Sequence, residues 1–378
     1  MSSLLIFWVS AAVIAYVYVG YPALLWLVAR LVRHPQERRP IEPKVSLLVP
    51  AYNEAAVIEA KVRNALALDY PPKRLEIVIA SDGSTDRTAE IVRCIAEKES
   101  TVHLLAFPRN RGKITSLNEA VLEVKGEIIV FSDASSMLAK DSIRQLMANF
   151  ADPRVGAASG IYRVRKQDQA QLGYQEDLYW KYETFLKLQE AKLGCVLGAH
   201  GSMFAIRKHL YPFPAADVIN DDFIIPIRVL QQGYRLAYDP LAVAYEEAHE
   251  MEGFGRRVRI ARGNVEQLAE IGGLLRPLRP LALFCFLSHK AGRLVVPVAM
   301  VLLALGNLLL FKSPVYRAMG VAQVLFYGLA MGGAIVPLRP KALRLPFYFC
   351  MINAALFACI YHAAQRRPSR SGSVAWSG

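Results

Sequence analysis

Between Val45 and Arg87 the chain reads VSLLVPAYNEAAVIEAKVRNALALDYPPKRLEIVIASDGSTDR. Two short apolar runs, Val45–Val49 and Leu75–Ala80, each stop abruptly at polar residues. The first ends in Pro50-Ala51-Tyr52-Asn53-Glu54, the second in Ser81-Asp82-Gly83-Ser84-Thr85-Asp86. Helical spacing over Ala55–Leu68 separates them. This order predicts a buried parallel sheet, because parallel strands need a crossover and are covered on both faces. In such sheets ligands bind beyond the carboxyl ends of the strands, where both polar clusters lie.

Further loops of the same kind come after these. A third strand, Val102–Ala106, leads into Pro108-Arg109-Asn110-Arg111-Gly112-Lys113 and then Leu117-Asn118. Arg111 and Lys113 beside a glycine, ahead of a helix, suit a diphosphate as well as they suit a solvated turn. A fourth strand, Glu127–Phe131, ends in Ser132-Asp133-Ala134-Ser135. Small residues in Gly198-Ala199-His200-Gly201-Ser202 precede an interior strand and allow a ligand close to the backbone. Asn220-Asp221-Asp222 opens a predicted helix that runs through Arg228 and Leu230 to Gly233-Tyr234. Adjacent carboxylates repel unless a cation or substrate uses them. Helix capping accounts for one aspartate of that pair and leaves the other unexplained. Asp82 taken alone reads equally as a helix cap or as an acceptor for a base or ribose, and Asp86 is a plausible cap for the next helix.

The chain as a whole mixes two materials. It is 54% hydrophobic, with mean hydropathy +0.25, yet 20% charged. Leu4–Ala29 carries no charge, and a bilayer needs roughly 20 apolar residues. Leu294–Phe311, Ala318–Val336 and Leu345–Ala364 also lack Lys, Arg, Asp and Glu. These runs predict membrane spans, and Ser288-His289-Lys290 with Arg293 is expected at their cytosolic interface. Arg30, Arg33, Arg38 and Arg39 come after the first span and favour a cytosolic middle region. Four full crossings then put Arg366, Arg367 and Arg370 outside, against the same rule, so the topology of the late spans stays open. The net charge of +13 lies largely in juxtamembrane loops and after Gly255, which suits anionic membrane lipids rather than nucleic acid. Cys94, Cys195, Cys285, Cys350 and Cys359 have no metal-ligand spacing and read as buried small hydrophobes.

The expected organisation is a transmembrane helix (1–32), a cytosolic α/β domain (45–250) and an amphipathic interface segment (251–280). A bundle of about three spans (281–364) and a disordered tail (365–378) complete it.

The ordered motifs from Val45 to Arg293 resemble glycosyltransferase family 2, whose members transfer sugar from a nucleoside diphosphate sugar on a GT-A fold. The resemblance implies that Pro50, Tyr52, Glu54 and Asp82 line the nucleotide pocket and that Lys113, with Arg111, lies near the phosphates. It makes Asp133 the first carboxylate of a D-x-D motif that holds Mg²⁺ or Mn²⁺, with Ser135 standing at the second acidic position. His200, Gly201 and Ser202 fall on the acceptor-side loop. Asp222, paired with Asp221, falls on the general base. Arg256 and Arg259 fall on the Q-x-x-R-W motif of processive members, in which Arg256 replaces Gln and Ile260 replaces Trp. The resemblance implies an inverting, membrane-embedded transferase that uses a UDP-sugar donor and a glycan or lipid-linked acceptor. The rivals are a single-sugar transferase to a polyprenyl acceptor and a catalytically weak nucleotide-binding scaffold.

Overall fold

The computed structural model describes residues 2–32, 37–165, 173–247, 254–275, 279–335 and 341–365. It divides into two compact units, one drawn from Tyr18–Met251 with Gln267–Lys290, the other from Met1–Val17, Glu252–Glu266 and Ala291–Gly378. The chain opens with helix α1 (Ser2–Leu31). Strands and helices then alternate as β1 (Val45–Ala51), α2 (Ile58–Leu66), β2 (Leu75–Asp82), α3 (Thr88–Ala96), β3 (Val102–Phe107) and α4 (Lys113–Glu123). Next come β4 (Ile128–Phe131), β5 (Met137–Leu138), α5 (Ser142–Ala148), β6 (Val155–Arg165) and α6 (Gly173–Lys192). The α/β part closes with β7 (Phe204–Arg207), α7 (Asp221–Gln231) and β8 (Arg235–Glu247). Among the described residues four longer helices follow: α8 (Phe254–Glu266), α9 (Pro280–Leu309), α10 (Pro314–Ile335) and α11 (Leu345–Gln365).

The eight strands form one sheet in the order β3-β2-β1-β4-β7-β6-β8-β5. β3, β2, β1 and β4 run parallel, β7 is antiparallel to β4 and β6, and β8 returns parallel to β6. Alternation along β1 explains why the sheet is covered twice. Val45, Leu47 and Val49 face one core with Ile58 and Val62 of α2 and Leu146 of α5. Leu48 faces the other core with Leu117 and Val121 of α4 and Ile225 of α7. Each such side chain contributes about 1.5–3 kcal/mol on burial. Register then decides where the loops emerge. Ala51 pairs with Ser81, and Asp82 pairs with Phe107, so the loops after β1, β2 and β3 open on one sheet edge.

The helix predicted over Ala55–Leu68 is shorter, Ile58–Leu66. Its first turn is taken by a loop in which the Val57 N–H donates to the Glu54 carbonyl at 3.0 Å.

In the helical unit, Phe7 meets Tyr316 edge-on at 5.2 Å, and Trp8 Nε1 donates to the Tyr316 hydroxyl at 3.1 Å. The apolar side of α8 is occupied: Ala261 is buried with Leu294, Leu356 and Cys359, and Val265 packs against them. Among the described residues α1, α9 and α10 are long and apolar enough to cross a bilayer, while the apolar stretch Leu345–Cys359 is shorter. The tail beyond Gln365 lies outside the described residues.

The helix that carries the second apolar run starts at Pro280, close to the expected start of the bundle, and includes Ser288, His289 and Lys290. Ser288 and His289 are buried, and His289 Nδ1 sits 2.7 Å from Glu190 Oε1. One expectation is corrected: Cys94 is exposed, on a helix whose buried residues are Thr88 and Val92, while Cys195, Cys285 and Cys359 are buried as expected and Cys350 is half-buried.

Candidate active site

The three parallel-strand loops are stitched to one another by side-chain oxygens that accept backbone N–H groups. Asn53 takes a left-handed backbone (φ 55°), which asparagine tolerates, and its Oδ1 accepts the Thr85 N–H at 2.8 Å. The Glu54 N–H donates to Thr88 Oγ1 at 2.8 Å, and the Ala55 N–H to Asp86 Oδ2 at 3.0 Å. Asp82 is buried and accepts the N–H groups of Arg111 at 3.1 Å and Gly112 at 2.8 Å. It therefore ties β2 to the loop before α4 rather than capping α3. The first N–H of that helix, from Thr88, is instead taken by Asp86 at 2.9 Å, one residue before the cap position Arg87. Gly83 is required here twice over: its φ is +65°, and a Cβ would lie 2.2 Å from the Arg109 carbonyl carbon. Pro50 is half-buried beside Ala80 in the register, and Tyr52 is exposed at the mouth.

Arg111 and Lys113, alike in sequence, differ in the fold. The Arg111 guanidinium is committed to Glu119 at 2.6 and 2.8 Å and lies over the Phe107 ring. Lys113 Nζ instead reaches Asp133 Oδ1 at 2.9 Å and Asp221 Oδ2 at 3.1 Å. Burial works against its ammonium, but the two carboxylates win and hold its pKa above the ordinary lysine value. One residue on, burial pushes the Asp222 carboxyl up to about 6; Asp221 adds to this while Lys187 and Lys113 oppose it. The backbone of Gly201 passes close to two of these acids. A Cβ there would stand 3.1 Å from Asp133 Oδ2 and 3.8 Å from Asp222 Oδ2. Asp133, Asp221 and Asp222 thus converge from the end of β4 and the start of α7, around Lys113 from α4.

Sequence reasoning missed two buried lysines that hold these parts. Lys61 lies on the buried side of α2 with Ile58, Val62 and Ala65. Its Nζ donates to Ser132 Oγ at 2.7 Å and to the Ser136 carbonyl, and Ser132 Oγ donates to the Ser202 carbonyl at 2.7 Å. The loop carrying Asp133 and the half-buried Ser135 is propped from beneath. The signal was available, since a lysine on an apolar helix stripe needs a buried partner. Lys187 of α6 donates to the carbonyls of Gly198 at 3.2 Å and Ala199 at 2.7 Å. Burial, reinforced by Lys290, lowers its pKa to about 8. The Ala199 N–H in turn donates to the Asp222 carbonyl at 2.7 Å, so Lys187 braces the loop against α7.

His200 is buried, with Nε2 2.8 Å from the Tyr238 hydroxyl and its N–H donating to Ser159 Oγ at 3.1 Å. Burial, and then Lys187, keep its pKa well below the usual histidine range, so the ring is neutral. Ser202 is buried next to the Asp133 loop. Arg259 is exposed on α8 in the helical unit, and the Arg256 side chain lies outside the described residues. Among the described residues no cluster of three or more His, Cys, Asp or Glu is placed to hold a metal ion. A hard cation at Asp133 would therefore draw its remaining oxygens from a ligand and from water, which fits a diphosphate site.

Residues 46–211 match the profile described as Glycosyl transferase family 2. The chain is 30% identical over 230 residues to poly-beta-1,6-N-acetyl-D-glucosamine synthase of Staphylococcus aureus, covering 59% of this chain and 55% of that protein. It is also 30% identical over 236 residues to the probable glycosyltransferase YdaM of Bacillus subtilis, with the same coverage. The chain thus spans about half the length of the curated relatives it matches. Among solved structures, the mannosyltransferase PcManGT from Pyrobaculum calidifontis, in complex with GDP-Man and Mn²⁺, superposes with a TM-score of 0.73 at 26% identity. That match covers 95% of this chain and 99% of the other. The doubly covered sheet, its loop-lined edge and these likenesses agree on the α/β part of the chain: residues 46–211 carry a domain of glycosyltransferase family 2, on a GT-A fold.

Proposed function

We propose that this protein is a membrane-bound inverting glycosyltransferase that moves a sugar from a UDP-sugar onto a growing glycan. One observation carries the reading. Asp222, with its carboxyl pushed up to about 6, adjoins the Asp221–Lys113–Asp133 charge cluster, so a proton acceptor and a diphosphate site share one loop edge.

That adjacency supports a direct displacement. Asp222 takes the proton of the acceptor hydroxyl as its oxygen attacks the anomeric carbon. The bond from that carbon to the diphosphate oxygen breaks, and its electron pair leaves with the nucleoside diphosphate. A single displacement inverts the anomeric centre. The Lys113 ammonium meets the charge that builds on the leaving diphosphate, and Asp221 fixes that ammonium in place. A divalent cation at Asp133 and Ser135, when bound, would neutralise further charge on the diphosphate. Pro50, Tyr52, Glu54 and Asp82 hold the nucleoside on the parallel-strand side, and Arg111 backs the loop. The loop of His200, Gly201 and Ser202 receives the acceptor. The names of the relatives support this reading: one makes a poly-N-acetylglucosamine, and another was solved with a nucleotide sugar and Mn²⁺. The spans and the arginines after the first of them support a multi-pass protein of the bacterial inner membrane, its α/β domain (45–250) cytosolic, with α8 at the interface.

The test is nucleotide release by the full chain in nanodiscs, with Mg²⁺ or Mn²⁺, against a panel of UDP-sugars and GDP-mannose. Turnover with one UDP-sugar, abolished by Asp222→Asn, is the expected result. Turnover only with GDP-mannose would move the donor to the guanine class, and no release from any donor would sink the enzyme reading. Product size by gel filtration separates chain growth from a single addition.

A further inference from the structure

A set of aromatic rings beside the acceptor loop has no part in the transfer chemistry. Trp180 of α6 is half-buried, and its indole stands 5.2 Å from the His200 ring at 70°. Tyr162 of β6 meets it at 4.8 Å and 52°, and Tyr179 at 5.4 Å and 74°. All three neighbours are edge-on or tilted, so none is stacked flat upon the indole. On its far side His200 is anchored to Tyr238, and burial keeps the imidazole neutral. The next residue, Gly201, is the one whose Cβ position faces Asp133 and Asp222. A large, partly exposed ring is thus fixed one loop residue away from the carboxylates.

We propose that Trp180 is the platform on which the terminal pyranose of the acceptor glycan rests. The reasoning is chemical. One face of a pyranose presents axial C–H groups and is apolar, while its rim carries hydroxyls. A rigid indole offers a broad apolar face at low entropic cost, and its N–H supplies a donor at the rim. Tyr162 and Tyr179 wall the platform with hydroxyl-bearing rings. The neutral His200 adds no charge that an uncharged sugar would have to desolvate. The inference rests on the transferase reading and specifies which surface takes its acceptor.

The experiment uses the full chain in nanodiscs and three probes: tetrasaccharides of β-1,6-linked N-acetylglucosamine, cellotetraose and mannotetraose. Binding is monitored by tryptophan fluorescence and, separately, by nucleotide release with the active donor. Trp180→Leu keeps apolar bulk without a flat ring. It is expected to raise the apparent Kd and the acceptor KM for one probe by about tenfold, with donor KM unchanged. Trp180→Phe is expected to restore most of that loss. A Leu variant that folds, as judged by an unchanged Tm, and binds the probe like wild type would overturn the platform. So would failure of all three probes to bind the wild type. If Leu lowers the Tm, the Phe and Tyr variants decide: a ring that restores stability without restoring acceptor affinity also overturns it. Because the binding arm needs no turnover, loss of nucleotide release with every donor would count against the transferase reading and leave the platform to be judged by fluorescence.

Discussion

The two halves of the sheet hold their site residues by different means. On the parallel side, β1 to β4, the loops are joined by their own polar side chains, whose oxygens accept backbone N–H groups: Asp82 those of Arg111 and Gly112, Asn53 that of Thr85, Asp86 those of Ala55 and Thr88. On the mixed side, β6 to β8, the loop with His200 and Gly201 hangs on buried side chains, Lys187, Ser159 and Tyr238. Loop-to-loop stitching uses polar residues at the strand ends, which stand out in the sequence. Bracing from outside the loop recruits residues of distant elements. It also makes the mixed side sensitive to single truncations, since a buried partner left unpaired costs about 1–3 kcal/mol.

That contrast can be broken by substitution. The largest effect is expected at the seam between the halves. Asp222→Asn keeps shape but removes the proton acceptor, and turnover should fall by about 10²–10⁴ while UDP binding survives. Nucleotide release measured beside nucleotide binding checks this, and retained turnover would place the base elsewhere. Next, Lys113→Met leaves Asp133 and Asp221 facing without their shared cation. Donor affinity should fall by at least about tenfold, as for the loss of a charged contact in a partly solvated site.

The pH profile sharpens the same comparison. With Asp222 near 6, the rate should fall as pH drops through that value, because only the ionised carboxylate can take a proton. Lys113 opposes the rise in that pKa, so in Lys113→Met the acid limb should move to higher pH. A limb that stays in place would mean that another group sets it.

Smaller effects should separate the halves by their readout. Lys61→Met strips the support beneath Ser132 and the Ser136 carbonyl, at a cost of about 1–3 kcal/mol in unfolding free energy. It should also raise the metal concentration needed for half-maximal activity, because the Asp133 loop loosens. Tyr238→Phe removes the hydroxyl that meets His200 and donates to Thr184 Oγ1 at 3.5 Å, and should cost about 1 kcal/mol by thermal melt, with donor KM unchanged. A change in donor KM there would show that the two halves are not separable.

Much of this was legible before the fold. Apolar runs ending in polar clusters identified the strands, and Asp82, Lys113, Asp133 and the Asp221–Asp222 pair were each visible as charge that needs a reason. The harder residues were those whose meaning depends on a partner far along the chain. Lys61 stands out on an apolar helix stripe, but its partner is unknown until Ser132 lies above it. His289 reads as an interfacial residue until Glu190 meets it. Arg111 and Lys113 look interchangeable, yet Glu119 occupies one and leaves the other for the carboxylates.

By itself, then, the sequence determined the strand periodicity, the membrane-length apolar runs and the acids at the strand ends, because burial, span length and charge are local properties of a short segment. Only the tertiary structure decided which cation serves which carboxylate, which lysines are buried braces, and that Trp180 stands beside His200. Those outcomes depend on the register of β1 to β4 and on α6 packing against the loop of His200 and Gly201, long-range contacts that no local pattern encodes.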